Sequence, residues 1–234
     1  LMQQSRMTKD LQQDLMRIRM IPFSSVSERL YRIVRQTAKE LGKKVNLELK
    51  GANVEIDRSV LEKMTSPFEH MLRNSIDHAI ESKDKRLANQ KPEVGEILLE
   101  VRQEGNELVL TLQDDGIGLD VVAIRAKAIE KGIIKASEKL TDQQAMNLIF
   151  APGFSTARTV TQVSGRGIGM DVVRTEVTNL GGRIEVSSTL GKGTVFTVHL
   201  PLTLAVTQVV LVDVAGKVFA IPSVMVEQVQ ELNF

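Results

Sequence analysis

Three polar side chains suited to metal or ligand binding recur about one helical turn apart between residues 70 and 78. On an α-helix, with about 100° per residue, His70, Asn74 and Asp77 fall within one narrow arc. The apolar side chains of the segment fall on the opposite side: Phe68, Leu72, Ile76 and Ala79. A side-chain amide among charged groups is a suitable oxygen ligand for Mg²⁺, which keeps phosphates as its other partners. Taken alone, the segment fits equally well a surface helix with scattered polar residues.

A carboxylate and two glycines follow a predicted strand in the sequence Asp114-Asp115-Gly116-Ile117-Gly118. A carboxylate at a strand end can accept a hydrogen bond from an exocyclic amine, and glycine lets a ligand approach the backbone closely. Asp-Gly turns are also common without any ligand. For this motif alone, a plain turn is therefore the more frequent interpretation.

A glycine-rich segment, Ser164-Gly165-Arg166-Gly167-Ile168-Gly169-Met170, precedes a predicted helix at 170–180. The free amides and positive end of a helix N-terminus favour phosphate, and glycines remove obstructing side chains. A Rossmann domain is disfavoured because its glycines follow a strand directly, whereas a loop rich in Ser, Thr and Gly precedes these. Residues 150–156 fit either an ordinary loop anchored by Phe154 or a lid over a bound nucleotide.

Composition limits the class of protein. The 234 residues are 42% hydrophobic and 25% charged, with a net charge of +1 and no cysteine. These values are typical of a globular protein in a reducing compartment and give no bulk attraction to nucleic acid or membrane. Without a long apolar run or a signal-peptide pattern, we expect a cytoplasmic protein with no nucleic-acid partner and no membrane insertion.

Hydrophobic periodicity predicts the elements that must position these motifs. We expect helices at 1–20, 26–41, 121–131, 142–150 and 170–180, and strands at 45–49, 96–103, 108–113, 183–187, 194–200, 206–214 and 217–222. The helix that carries Asn74 either begins at a capping box, Ser66 to Glu69, or passes through Pro67 as a kink. Residues 83–95 are predicted to be a loop.

The order of these segments resembles the nucleotide-binding fold shared by DNA gyrase B, the heat-shock-90 chaperones, histidine kinases and MutL. The segments at 70–78, 152–157 and 163–173 are most similar to those of the CheA family of chemotaxis histidine kinases. The similarity extends over essentially the whole chain, including 19–22 and 201–205. It implies an α+β fold, a two-layer α/β sandwich with a mixed, mainly antiparallel sheet and helices on one face.

The resemblance also implies three parts. Residues 1–20 would end a dimerisation helix, 21–201 would be the ATP-binding catalytic domain, and 202–234 would be the truncated start of a CheW-like regulatory domain.

By this resemblance the cofactors are ATP and Mg²⁺. Asn74 would hold the Mg²⁺ that bridges the phosphates, and His70 would support the metal or the chemistry one turn earlier. Asp114 would accept from the adenine amino group, with Thr194 near the base. The resemblance implies further nucleotide-binding residues. They would contact phosphate, approach the base, belong to the lid or border the triphosphate: Arg73, Asp77, His78, Gly116, Gly118, Ser155, Thr156, Ser164, Gly165, Arg166, Gly167, Gly169 and Met170.

The residue one turn before Asn74 separates two activities. Gyrase, heat-shock-90 and MutL carry a glutamate there as general base for water, whereas this chain has His70, and Glu69 points about 100° away. We therefore expect phosphoryl transfer to a protein histidine, which depends mainly on positioning and charge stabilisation. Two departures from the family pattern are Ala79, in place of glycine, and Ala123, in place of a basic residue that Arg125 or Lys127 could replace.

The resemblance implies that the acceptor histidine lies on a separate phosphotransfer domain, since the only histidines here are His70, His78 and His199. Further implied partners are a response regulator, a CheW-like adaptor and chemoreceptors, with homodimerisation of the full-length protein. Two alternatives stay open: a non-kinase ATPase of the same fold, and a degenerate nucleotide- or adaptor-binding module.

Overall fold

A computed structural model of the chain describes residues 18–154, 169–202, 209–214 and 216–222. The chain divides into two compact units, Leu1–Leu202 and Thr203–Phe234. The predicted helix at 1–20 lies almost entirely outside the described residues, as do most of the glycine-rich segment and the residues after 222.

The strands are short to medium in length and mostly match the predicted ones. In chain order they are β1 Met20–Pro22, β2 Val45–Lys50, β3 Glu55–Asp57, β4 Gly95–Glu104, β5 Glu107–Asp114, β6 Arg183–Thr189, β7 Gly193–Pro201, β8 Val209–Val214 and β9 Lys217–Pro222.

Six α-helices lie in the described part of the chain: α1 Ser27–Glu40, α2 Arg58–Asn74, α3 Lys83–Ala88, α4 Val121–Glu130, α5 Asp142–Asn147 and α6 Met170–Asn179. Short 3-10 helices cover Phe23–Val26 and Leu148–Phe150, and a π-helix covers Ser75–Ala79. In the same part of the chain, no helix has the length and hydrophobicity that a membrane crossing requires.

The main sheet has the strand order β2-β4-β5-β7-β6. β2 and β4 are parallel, and the other three pairs are antiparallel. This confirms the predicted mixed, mainly antiparallel sheet of an α+β fold. In the second unit, β8 and β9 form an antiparallel hairpin.

Alternating side chains of the strands form one side of the core. The buried positions include Ile97, Leu99, Val101, Leu108, Leu110, Leu112, Val198 and Leu200. Helix α2 supplies much of the opposing layer through Leu61, Met64, Phe68, Met71 and Leu72, each at most 2% exposed. Burial at this spacing follows from the apolar stripe of an amphipathic helix. The predicted core face of the Asn74 helix is confirmed for Phe68, Leu72 and Ile76 but not for Ala79, which is half-buried.

The predicted start of α2 at Ser66 is wrong. The helix begins at Arg58, where the Asp57 carboxylate accepts a hydrogen bond from Ser59 N at 2.8 Å as the N-cap. Pro67 lies inside the helix, as the alternative prediction had it. The helix tolerates the missing N–H, with both Pro67 and the adjoining Phe68 buried.

The predicted loop at 83–95 is also wrong in part, because Lys83–Ala88 forms helix α3. Four of its six residues are charged, and it lacks an apolar stripe. Arg86 is nevertheless fully buried, so contacts with the rest of the fold, rather than periodicity, stabilise this helix.

Candidate functional site

A cavity of about 190 Å³ lies where the end of α2 meets the ends of β5 and β7 and the start of α6. Its polar lining consists of Asn74, Ser75, His78, Asp114 and Thr194. The apolar walls are Ala79, Leu119, Ile149, Phe154, Met170 and Phe196. Apolar walls with a few polar groups are typical of ligand sites, although the volume is below the ~300–1,000 Å³ usual for a whole ligand. It suits a ligand of which one part is buried.

Asp114 is the most deeply buried ionisable group of this cavity, at 2% exposure. Its Oδ1 atom accepts hydrogen bonds from Gly116 N at 2.9 Å and Thr194 N at 3.3 Å. Among the residues that the structure describes, its Oδ2 atom accepts only from the Ser75 hydroxyl, at 3.4 Å, so a lone pair remains for a ligand donor. Burial raises the pKa of this carboxyl to about 6, against the lowering effect of those three hydrogen bonds.

The glycines around Asp114 are required by contacts within the protein. A Cβ atom at Gly116 would lie 2.3 Å from the Ala79 carbonyl oxygen, and one at Gly118 would lie 2.4 Å from that of Thr189. Gly118 also has a φ of +75°, which other residues rarely adopt. Contacts within the protein are therefore sufficient to demand glycine at both positions. Gly118 also lines the cavity, and the close approach of a base at these glycines stays a prediction.

Asn74 and His70 contact each other one turn apart on α2. The amide Nδ2 of Asn74 lies 2.9 Å from His70 Nε2 and 3.4 Å from the Met170 sulfur. Burial, aided by the nearby Arg73 charge, lowers the pKa of His70, so its Nε2 can act as the acceptor of a neutral ring. The Asn74 carbonyl oxygen accepts no hydrogen bond from the described residues, which leaves it available to an external ligand.

That amide oxygen fits Mg²⁺ but not a fully protein-coordinated metal. Among the described residues there is no cluster of three His, Cys, Asp or Glu side chains that could hold an ion. Mg²⁺ commonly uses one or two protein oxygens and takes phosphate and water as its remaining ligands. Asn74 is therefore placed to complete such a shell, whereas His70 would have to give up its contact with the amide to become a ligand.

A π-helix directly after Asn74 changes which side chains face the cavity. Ile80 N donates to Ser75 O at 2.8 Å, an i to i−5 bond. Because a π turn holds more residues than an α turn, the 100° spacing ends at Asn74. Asp77 is exposed and does not line the cavity, whereas His78 does, so the predicted shared arc is wrong for Asp77.

Lys43 stabilises the carbonyl groups of this π turn. Its Nζ atom donates to Ile76 O and Asp77 O, both at 2.7 Å. A cation at the carbonyl end of a helix satisfies groups that have no intrahelical donor. Partial burial lowers the pKa of Lys43 despite the nearby Asp77 and Glu81 carboxylates.

Of the other predicted site residues, some lie at the cavity and others do not. Thr194 is 3% exposed, lines the cavity and has its hydroxyl 3.1 Å from Ser188 Oγ. Gly169 and Met170 begin α6, and Met170 reaches Asn74. Arg73 is not among the lining residues. The remaining predicted residues lie outside the described residues: Ser155, Thr156, Ser164, Gly165, Arg166 and Gly167.

The basic residues considered as substitutes at Ala123 have other contacts. Arg125 donates to Asp142 at 2.9 Å and to Leu140 O at 2.7 Å. The Lys127 ammonium lies 5.1 Å from the centre of the Phe154 ring, a favourable cation–π distance. Of the two, only Lys127 contacts a wall of the cavity.

Glu69, the acidic residue next to His70 in the sequence, does not line the cavity. Its carboxylate pairs with the Arg29 guanidinium on α1. Water activation by Glu69 is therefore disfavoured by geometry as well as by sequence spacing.

Several lining residues were not singled out from the sequence. Ser75 adjoins Asn74 but is polar in a way typical of any helix surface. Leu119, Ile149 and Phe196 come from three distant segments and have the appearance of ordinary core residues. The position of Ser75 beside Asn74 is a usable signal in the sequence. Nothing in the sequence distinguishes the apolar walls of the cavity from ordinary core residues.

The chain is similar to proteins of known type. The family model described as Histidine kinase-, DNA gyrase B-, and HSP90-like ATPase matches residues 64–204. The Chemotaxis protein CheA of Treponema pallidum is 45% identical over 217 residues, and the Sensor histidine kinase CheAY of Helicobacter pylori is 46% identical over 220 residues. In both cases the match covers 93% of this chain and 27% of the relative. The solved structure of the Acinetobacter baumannii histidine kinase AdeS has 16% identity and a TM-score of 0.46, covering 78% of this chain and 66% of that one.

Proposed function

The chain belongs to the Histidine kinase-, DNA gyrase B-, and HSP90-like ATPase family, and from this we propose that it is the ATP-binding catalytic domain of a CheA-type histidine kinase. The chain spans about a quarter of the length of the two curated relatives it matches. The activity, partners and location of the whole protein are therefore part of the proposal.

One observation carries this function: a buried carboxylate and a side-chain amide line the same cavity. Asp114 presents Oδ2 to a purine amino group, and the adjoining apolar walls, Leu119, Ile149 and Phe196, pack against the base. The amide oxygen of Asn74, which lines the same cavity, would supply an oxygen ligand to Mg²⁺. The start of α6 would border the phosphates, because the free amides of a helix N-terminus favour negative charge.

The choice between kinase and hydrolase rests on the general base. A hydrolase of this fold needs a carboxylate near the γ-phosphate to activate water. Here Glu69 pairs with Arg29, and His70, which has a lowered pKa, contacts Asn74. The site therefore serves to orient Mg²⁺ and the γ-phosphate for in-line attack by an external imidazole, where catalysis comes from positioning and charge stabilisation.

The external imidazole would be the acceptor histidine of a separate phosphotransfer domain. From that histidine the phosphoryl group would pass to an aspartate of a response regulator in the cytoplasm. Residues from about 202 onward would begin the CheW-like domain that binds the adaptor and chemoreceptors, and homodimerisation would involve the helical region before residue 21.

Phosphoryl transfer to an isolated acceptor tests this function. The chain is mixed with the phosphotransfer domain of a CheA-type relative and γ-labelled ATP, with and without Mg²⁺. We expect Mg²⁺-dependent, acid-labile label on the acceptor, and none on an acceptor whose histidine is replaced by Gln. Rapid phosphate release without acceptor, together with an unlabelled acceptor, would instead indicate the ATPase alternative.

A further inference from the structure

Four charged side chains form a buried cluster next to the cavity but outside it. The Arg86 side chain is fully buried, that of Glu81 is 4% exposed, and those of Lys91 and Asp115 are 15% and 34% exposed. Charged side chains are almost never so buried unless they are paired. We call these four residues the turn cluster.

Both cations of the turn cluster contact the turn that follows Asp114. Arg86 holds the Asp115 carboxylate with two hydrogen bonds, Nη1 to Oδ1 at 3.1 Å and Nη2 to Oδ2 at 2.7 Å. Lys91 Nζ donates to the carbonyl oxygens of Asp115 at 2.9 Å and Gly116 at 2.7 Å. A paired guanidinium–carboxylate contact has a fixed planar geometry, so the two residues after Asp114 are held in place.

This restraint reaches the Asp114 carboxylate through Gly116. Gly116 N donates to Asp114 Oδ1 at 2.9 Å, so the position of that amide determines how the carboxylate lies. Gly116 O is in turn the acceptor of Lys91, and Arg86 Nε donates to Pro92 O at 2.7 Å. The orientation of the carboxylate in the cavity therefore depends on residues that do not line the cavity.

The same cluster joins the turn to the end of the Asn74 helix. Glu81 accepts from Arg86 at 3.2 Å and from Lys91 at 2.7 Å, and it follows the π-helix after one residue. Ile117 N donates to Ala79 O at 2.8 Å across the same junction. The turn cluster thus fixes the position of the turn relative to the helix that bears Asn74.

Stability alone is a poor explanation for this arrangement. Desolvation of buried ions offsets most of their attraction, and well-packed apolar residues of similar volume are often equally or more stabilising. Apolar packing, however, would not supply fixed directional contacts to a ligand-binding carboxylate.

We propose that Arg86, Lys91 and Asp115 are positioning residues that orient the Asp114 carboxylate and thereby set the preference for a 6-amino purine nucleotide. The inference rests on the proposed function, in which Asp114 accepts from the base. It predicts that loosening the turn cluster weakens recognition of the amino group more than binding of the rest of the nucleotide.

The test compares two nucleotides on a set of variants. Calorimetry in Mg²⁺ gives the Kd for ATP and for purine riboside triphosphate, which lacks the 6-amino group. The variants are Lys91→Met, the conservative Lys91→Arg and, on the carboxylate side, Asp115→Asn. Lys83→Met is the matched control, because Lys83 forms an exposed ion pair with Glu93 at 3.2 Å and does not contact the turn.

We expect the wild-type chain and Lys83→Met to favour ATP by about tenfold or more, as one charge-assisted hydrogen bond implies. In Lys91→Met and Asp115→Asn this ratio should fall towards one, and in Lys91→Arg it should be largely kept. Thermal melting identifies a variant that does not fold, in which case the other variant decides the result.

Two outcomes separate this inference from the proposed function. If wild type favours ATP and a folded Lys91→Met or Asp115→Asn keeps the full ratio while both affinities fall equally, the cluster is only structural and the inference is wrong. If wild type binds the two nucleotides equally, the role of Asp114 in the proposed function is wrong, and the inference fails with it.

Discussion

At the scale of single residues, Asp114 has to be buried to recognise a base, but it has to be ionised to accept a hydrogen bond from that base. Burial raises its pKa to about 6, which lies far above that of an ordinary aspartate. Hydrogen bonds from two backbone amides to the carboxylate lower the pKa and so offset part of this rise. The ionised form, which binds the ligand, is therefore only modestly favoured over the protonated form near neutral pH.

This pKa predicts a pH dependence of nucleotide binding. The ionised carboxylate is the better acceptor, so Kd for Mg²⁺–ATP should rise as the pH falls through about 6, approaching tenfold per pH unit below it. Calorimetry between pH 5 and 8 measures the slope. A Kd for the wild-type chain that stays flat down to pH 5 would contradict the assignment.

The same shift predicts how the ligand-free protein responds to pH. For an acid whose pKa is raised in the folded state, the stabilising contribution is fully present below the unfolded-state pKa near 3.8 and is lost as the pH rises through about 6. The loss is about 3 kcal/mol. Relative to Asp114→Asn, wild type should therefore lose most of that unfolding free energy between pH 4 and pH 7.5, as measured in urea. An unchanged difference between the two proteins would contradict this.

A third prediction at this scale concerns Asn74. Replacing it with Ala removes the amide oxygen that we propose as the Mg²⁺ ligand, so added Mg²⁺ should no longer tighten ATP binding, and phosphoryl transfer should fall by about 100-fold or more. Asn46→Ala is the matched control, because its amide also donates to a side chain, Glu96 at 2.8 Å, but on the sheet surface. A variant at Asn74 with normal Mg²⁺ dependence would exclude the role.

At the scale of elements, the junction between the π-helix and the Asp114 turn leaves no space for a side chain. A Cβ atom at Gly116 would lie 2.3 Å from the Ala79 carbonyl oxygen, closer than non-bonded atoms can approach. Gly116→Ala should therefore reduce the free energy of unfolding by roughly 2–4 kcal/mol and weaken nucleotide binding at the same time.

Gly42→Ala provides the comparison in chemical denaturation. Gly42 has a φ of +63°, and a Cβ atom added there would meet no described atom within 4 Å. That substitution therefore costs only backbone strain, about 1–2 kcal/mol. Equal losses for the two variants would mean that the junction is looser than the Gly116 contacts indicate.

Most elements could be predicted from the sequence because their cues are local. Helix α1, the β4–β5 hairpin and α6 follow from periodicity and turn residues. The start of α2 was missed because Ser66, Pro67 and Glu69 imitate a helix start, while the actual N-cap, Asp57, closes a three-residue strand. Helix α3 was missed because buried contacts of Arg86 stabilise it, and those contacts are not local.

The site was predictable to the extent that its chemistry lies in motifs. Asn74 and Asp114 were identified by type and position, and Thr194 through the family resemblance; all three line the cavity. Asp77 was misplaced because an i to i−5 turn cannot be recognised from an α-helical wheel. The walls Leu119, Ile149 and Phe196 were missed because apolar residues of the core and of a ligand site are chemically alike.

At the scale of the whole molecule, the proposed reaction is divided between this chain and another domain. Among the described residues, the carboxylate that lines the cavity is that of Asp114, which the proposed function assigns to the base. The Glu69 carboxylate is paired with Arg29 and does not line the cavity. We therefore expect negligible phosphate release from ATP by the chain alone and a large increase in ATP consumption when an acceptor domain is added. Measuring ADP and free phosphate in parallel checks this, because transfer to the acceptor yields ADP without phosphate. Steady release of both without acceptor would favour the ATPase alternative.

The central claim is that a Mg²⁺-bound adenine nucleotide occupies the cavity with its base on Asp114. Titration calorimetry of the folded chain with ATP and Mg²⁺ at pH 7.5, alongside Asp114→Asn and the exposed control Asp84→Asn, measures it most directly. We predict saturable one-site binding by wild type and Asp84→Asn, and affinity lower by about 100-fold or more, near 3 kcal/mol, for Asp114→Asn. Equal binding by all three proteins, or no heat of binding from correctly folded wild type, would contradict the account.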